Sequence, residues 1–306
     1  MFYDDNCIGN LKHQFERFGA NSCLWMEETL NFINNEYHEK DILFSCLKFI
    51  DSLTTAFSSN SKDGVVVTFF SSLVCKEELT NSLNLTSLGI YHSAFDSLRR
   101  AIEITLAGFY FDLIKGNQFF IEDDVLKSEL FDWYYSLKET PRMRDIKNRL
   151  SEHKKFRDNS WVICEAHKLF GSLSNYSHSN GINYSVLNFI NRKGDFGIST
   201  FSKENLHLFL ENYIKTSKQI AVLYAFFNPI LICGLPVFEK FGFSGGLGLF
   251  EKKQSQVLLN LIHEDYKKKL FEIVNQNNSI QDRIKKVEAM PISDEYKKMQ
   301  SYFPEN

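Results

Sequence analysis

With 306 residues, the chain is long enough to bury about three quarters of its unfolded surface. Its 43% hydrophobic and 24% charged residues exclude a disordered, collagen-like or charged-tail protein. Thirty-five Lys and Arg against 38 Asp and Glu leave a net charge of −3, so no global field draws it onto nucleic acid or an anionic membrane, and any basic contact has to be local.

The departure from average is aromatic: 29 Phe, 13 Tyr and 3 Trp put bulky rings into the interior and onto any partner surface. Cys7, Cys23, Cys46, Cys75, Cys164 and Cys233 form no CxxC pair. They read as reduced thiols of a cytoplasmic protein, with no metal site and no cofactor implied. The opening MFYDDNCIGN has no basic stretch before an apolar run, which argues against a secretory signal.

In chain order, residues 22–57 carry apolar positions at helical spacing in two runs, with Asp41 placed to cap the second, and predict a helical hairpin. The polar SSNSKDG at 58–64 is a loop. The β-branched VVVTFFSSLVC at 65–75 lacks alternation and a second strand, and is read as a buried helix. Leu88, Tyr91, Phe95, Leu98, Ile102, Leu106, Phe109 and Leu113 then form one stripe and predict a long amphipathic helix over 85–115.

Within AIEITLAGFYF on that helix Glu103 is the only charge, and at 100° per residue His92, Asp96 and Arg99 fall within about 60° of it, beside the apolar stripe. Such a stripe half-buries its charges, to hold either a structural bridge or an anion site. Arg100 points further toward solvent, in reach of Asp96.

Residues 123–150 predict a helical region broken at Pro141. The following KNRLSEHKKFR interleaves Lys147, Arg149, Lys154, Lys155 and Arg157 with His153 and Phe156. This is a solvated face or an RNA-contacting patch. A helix over 161–179 ends in Ser174-Asn175-Tyr176-Ser177-His178, where His178 either caps free carbonyls or takes part in chemistry with Asn175 and Tyr176.

Two β-like runs around NRKGD predict a small hairpin over 183–202, after which Ser202 caps a helix from Lys203. Residues 220–238 are free of charge for 19 positions, but Asn228-Pro229, Gly234 and Pro236 interrupt them. A buried helix ending at Asn228 fits better than a membrane span. FSGGLGLF at 243–250 is a linker, and the tail from Glu251 is polar and helical. No Ser/His/Asp order, HExxH, EF-hand loop or Rossmann fingerprint is present.

GIYHSAFDSLRRAIEITLAGFYF and LFGSLSNYSHSNG together resemble the bacterial HEPN-like helical families of abortive-infection, toxin and antiviral-defence proteins, over about residues 85–180. The resemblance implies a helical bundle, a homodimer whose motifs meet at the interface, and metal-independent RNA cleavage. His178 would then be acid or base, Arg99 would stabilise the phosphorane, and Glu103, Asn175 and Tyr176 would be polar support. In those families four to six residues separate the motif Arg from the His. Here the matching positions are Gly171, Ser172 and Leu173.

The sequence therefore predicts an all-α protein in three parts: an N-terminal helical region (1–84), a HEPN-like core (85–202) and a C-terminal helical extension (203–306). The missing Arg favours a non-catalytic component that binds a partner protein, encoded nearby or a second copy of itself, over an endoribonuclease. No membrane contact is expected.

Overall fold

A computed structural model describes residues 5–55, 67–113, 133, 139–177, 201–243 and 248–302. Among them there are twelve α-helices and no strand. The predicted hairpin over 183–202 lies outside the described residues except for its last two.

The centre is α4 (Tyr91–Leu113). Its N-terminal half buries one face through Tyr91, Phe95, Leu98 and Ile102, and from Thr105 to Phe109 every side chain is buried. Helix α3 (Val67–Ser87) lies along it most extensively, while α5 (Met143–Glu152), α6 (Ser160–Ser177) and α7 (Lys203–Phe227) take the remaining sides.

The predicted single helix from residue 85 is in fact two helices. Gly89 takes a left-handed backbone with φ 70°. The Ile90 N–H donates to the Leu85 carbonyl at 2.8 Å and the Gly89 N–H to the Thr86 carbonyl at 2.9 Å, a Schellman end that stops α3 and lets α4 turn back on it.

Helices α1 (Asp5–Asn35) and α2 (Lys40–Ser52) follow one another across a short turn, yet α1 lies on α3 while α2 lies on α7 and α9 (Lys252–Leu261), so the two do not form the self-packed hairpin their periods suggest. Asp41 sits in the first turn of α2, not at its cap; an acid there still faces the positive helix end. Ser202 does cap α7, its Oγ accepting from the Asn205 N–H at 3.2 Å. The Tyr91 hydroxyl donates to the Ser202 carbonyl at 3.1 Å and ties that cap to the start of α4.

The charge-free run at 220–238 is core. Every residue from Ile220 to Asn228 is buried, α7 stops at Phe227, and Pro229–Cys233 forms a 3-10 turn before left-handed Gly234. The Asn228 side chain donates to the Gly248 carbonyl at 2.9 Å and ties the end of α7 to the segment before α9. No helix among the described residues is long and apolar enough to cross a membrane.

The C-terminal part, α8 (Val237–Phe241), α9, α10 (Glu264–Gln276), α11 (Asn278–Glu288) and α12 (Asp294–Tyr302), packs on α7, on the 3-10 turn and on itself. Buried residues of all three predicted parts join one core. The aromatic load goes largely inward. Phe109 stacks on Phe227 with centroids 4.1 Å apart and meets Tyr224 edge-on at 5.2 Å, and Phe95 meets Phe209 edge-on.

α3 and α4 meet at Gly108, where an added Cβ would overlap both side-chain atoms of Ser71. Gly108→Ala, which would stabilise an exposed helix, is therefore expected to cost about 1–3 kcal/mol by overpacking. Adding Ser71→Gly should recover part of that in denaturant melts. A stabilised single variant would mean that α3 stands off from α4.

Candidate functional site

The charge stripe of α4 is assembled. The Arg99 Nε reaches Asp96 Oδ1 at 3.2 Å and its Nη1 reaches Glu103 Oε2 at 3.2 Å, with the Arg99 side chain only 18% exposed. From α6, the Phe170 ring covers the guanidinium, 5.2 Å from its centroid to Cζ. Asp96 passes its other oxygen to Arg100 Nη1 at 2.6 Å, and Arg100 forks onto Glu78 of α3 at 2.9 and 3.2 Å.

Charge thus alternates from Glu103 through Arg99, Asp96 and Arg100 to Glu78, and holds α3 against α4. Burial pushes the Glu103 carboxyl above its ordinary range, against the pull of Arg99. His92, predicted on the same stripe, has a buried Nε2 with no hydrogen-bond partner among the described residues.

On α6, the Tyr176 ring stacks on Phe95 at 4.1 Å and 11°. Asn175 is half-buried, and Ser174 Oγ donates to its own helix at the Phe170 carbonyl. Arg99 and Tyr176 are thereby brought to one α4–α6 seam. His178, the predicted acid or base, lies outside the described residues.

The basic run divides. Arg149, Lys154 and Arg157 are exposed, and Arg157 stands 3.7 Å from Asp158. Lys147 is half-buried beside His167, whose pKa is lowered by burial first and by Lys147 second. Lys155 turns inward and does not join the exposed face: its Nζ sits 4.8 Å from the centroid of Phe227, and burial lowers its pKa while Asp112 works the other way.

Asp112, in the last turn of α4, was not singled out by its pattern. Its Oδ1 is closed to solvent with no hydrogen-bond partner among the described residues, and burial pushes its pKa up to about 7 despite Lys155. His153, the C-cap of α5, accepts from the Lys155 N–H at Nδ1, 3.3 Å. Burial and then the two following lysines lower its pKa.

Beside this group an open pocket of about 470 Å³ lies between the 153–159 turn, the end of α7 and the first turn of α11. The only sequence signal for it was the basic run, and the inward turn of one lysine is a tertiary fact.

Among the described residues no group of three or more His, Cys, Asp or Glu side chains is arranged to hold a metal ion. Cys23, Cys46, Cys75, Cys164 and Cys233 are free, and burial raises Cys46 to about 11 and Cys75 to about 12, which leaves both thiols protonated. Comparison with family models, with curated proteins and with solved structures found no match.

Two outcomes follow from these geometries. Arg99→Ala leaves Glu103 without its close partner, while Asp96 keeps Arg100, and water reaches the carboxylate, so it should cost about 1–3 kcal/mol, less than a fully buried pair would. Glu103→Gln should cost less still. A melting temperature equal to wild type for Arg99→Ala would show that its ion pairs add nothing to the fold; the α3–α4 link itself runs through Arg100 and Glu78.

For Asp112, the folded chain keeps a proton between the ordinary carboxyl range and about pH 7 that the unfolded chain has released. Stability from this group therefore falls as pH rises through that window, and is flat above it. Asp112→Asn should melt higher than wild type near pH 8 and lose that advantage near pH 4. An advantage independent of pH would place the carboxylate in water.

Proposed function

We propose that the chain is a non-catalytic, HEPN-like helical component of a bacterial antiviral-defence or toxin system, acting by binding a protein partner that is either a neighbouring gene product or a second copy of itself. The observation that carries this reading is the occupancy of Arg99. An arginine that stabilises a transition state keeps donors free toward the place where charge develops. Here Nε is spent on Asp96, one Nη1 donor on Glu103 and one face on Phe170, so that of its three nitrogens only Nη2 has no partner among the described residues.

Tyr176 is likewise engaged in packing, by its stack on Phe95. The absence of a basic residue at 171–173 points the same way. For contact with a partner, α1 offers Cys23, Met26 and Leu30 at steps of three and four, with Met26 45% and Leu30 58% exposed.

The experiment is RNA incubation in EDTA joined to light-scattering mass measurement, with the chain alone and co-expressed with its neighbouring gene products. RNA should stay intact with wild type and with His178→Ala. A complex should form that Met26→Glu with Leu30→Glu dissolves without lowering the melting temperature. Cleavage that His178→Ala and Arg99→Lys abolish in folded protein would establish instead the metal-independent endoribonuclease. A chain that stays monomeric with every neighbouring product would overturn the interaction reading.

A further inference from the structure

The pocket at the turn after α5 combines three features that α4, α7 and the C-terminal helices bring together. One wall carries two lysines, Lys154 and Lys155, with His153 beside them. The floor is apolar, with Phe226 and Pro229 from the end of α7 and Ile273 from α10. The facing wall is the first turn of α11, with Asn277 as its N-cap and Ser279 behind it.

The Asn277 side chain accepts from the Ile280 N–H at 3.2 Å, and the earlier N–H groups of that turn have no helical acceptor. The one carboxylate on the rim, Asp158, is drawn toward Arg157 at 3.7 Å. A volume of about 470 Å³ lies within the usual range for a small-molecule site.

We propose that this pocket binds a small organic phosphate ester with a flat apolar body, its phosphate between Lys154, Lys155 and the α11 N-terminus and its body on Phe226 and Pro229. Phosphate fits better than a carboxylate because donors come from both the 153–159 turn and the α11 N-terminus, and a tetrahedral phosphate offers them three oxygens where a planar carboxylate offers two. Lys155 is poised for such a ligand. Its Nζ rests on the Phe227 face and its nearest countercharge, Asp112, is held toward the neutral form by burial, so an entering anion supplies the partner that the fold withholds. The site is separate from the Arg99 seam and does not rest on the interaction reading.

Phenyl phosphate, inorganic phosphate, benzoate and phenol, titrated calorimetrically into the full chain, test this. Phenyl phosphate should bind at one site per chain, about tenfold or more tighter than each of the other three, and more weakly as salt rises. Lys154→Ala, an exposed position, should weaken it by about tenfold. Ser279→Trp, which fills the pocket from the exposed rim, should abolish it at unchanged melting temperature.

The proposal is overturned if phenyl phosphate does not bind at millimolar concentration, if inorganic phosphate or phenol binds as well, or if neither variant changes binding. It is also overturned if a single-stranded RNA oligonucleotide binds tighter and depends on Arg149 and Arg157. That result would assign the cluster to nucleic acid.

Discussion

Burial of α4 from Thr105 to Phe109 is the constraint on which the rest depends. A helix segment enclosed on all sides has no solvated face on which to place charge, and its neighbours approach only as closely as its side chains permit. From Thr105 to Phe109 the chain meets this with small residues and one large ring, so that Ser71 of α3 can sit against Gly108 while Phe227 and Tyr224 of α7 enclose Phe109. The same closeness explains the polarity of this interior, where Thr68, Ser71 and Thr105 are fully buried. Ser71 and Thr105 return their hydroxyls to their own helices.

Charge on α4 is tolerated only where α3 and α6 leave a seam. Arg99 occupies it with a carboxylate one turn away on either side and an aromatic ring against its face. That is how a half-buried guanidinium is satisfied without any ligand. The group that the sequence singled out for chemistry thus has a structural role: its ion pairs brace α4 and its aromatic contact joins α4 to α6.

At the far end of α4 the balance is different. Asp112 and Lys155 are close enough to influence one another, yet burial disfavours the charge on each. Lys155 also lines a pocket with Lys154, where Asp158 is the one lining carboxylate. Structural ion pairs are normally closed on themselves, as the Arg99 chain is.

What the sequence by itself determined is what depends on near neighbours. The period of three and four placed the helices, Asn228-Pro229 ended α7, Ser202 capped it, and the spacing of Asp96, Arg99 and Glu103 put them on one stripe, because each of these is settled within about one helical turn. Gly89 hid inside an apolar stripe that runs on at helical period through Leu88 and Tyr91, although a left-handed glycine ends α3 there. Tertiary structure alone decided which charges face inward. Lys155 stands in a run that reads as solvated, and its direction is set by Phe227 and Asp112, from helices distant in sequence. The cost of burying a charge depends on the atoms around it, and those atoms come from segments that no local period connects.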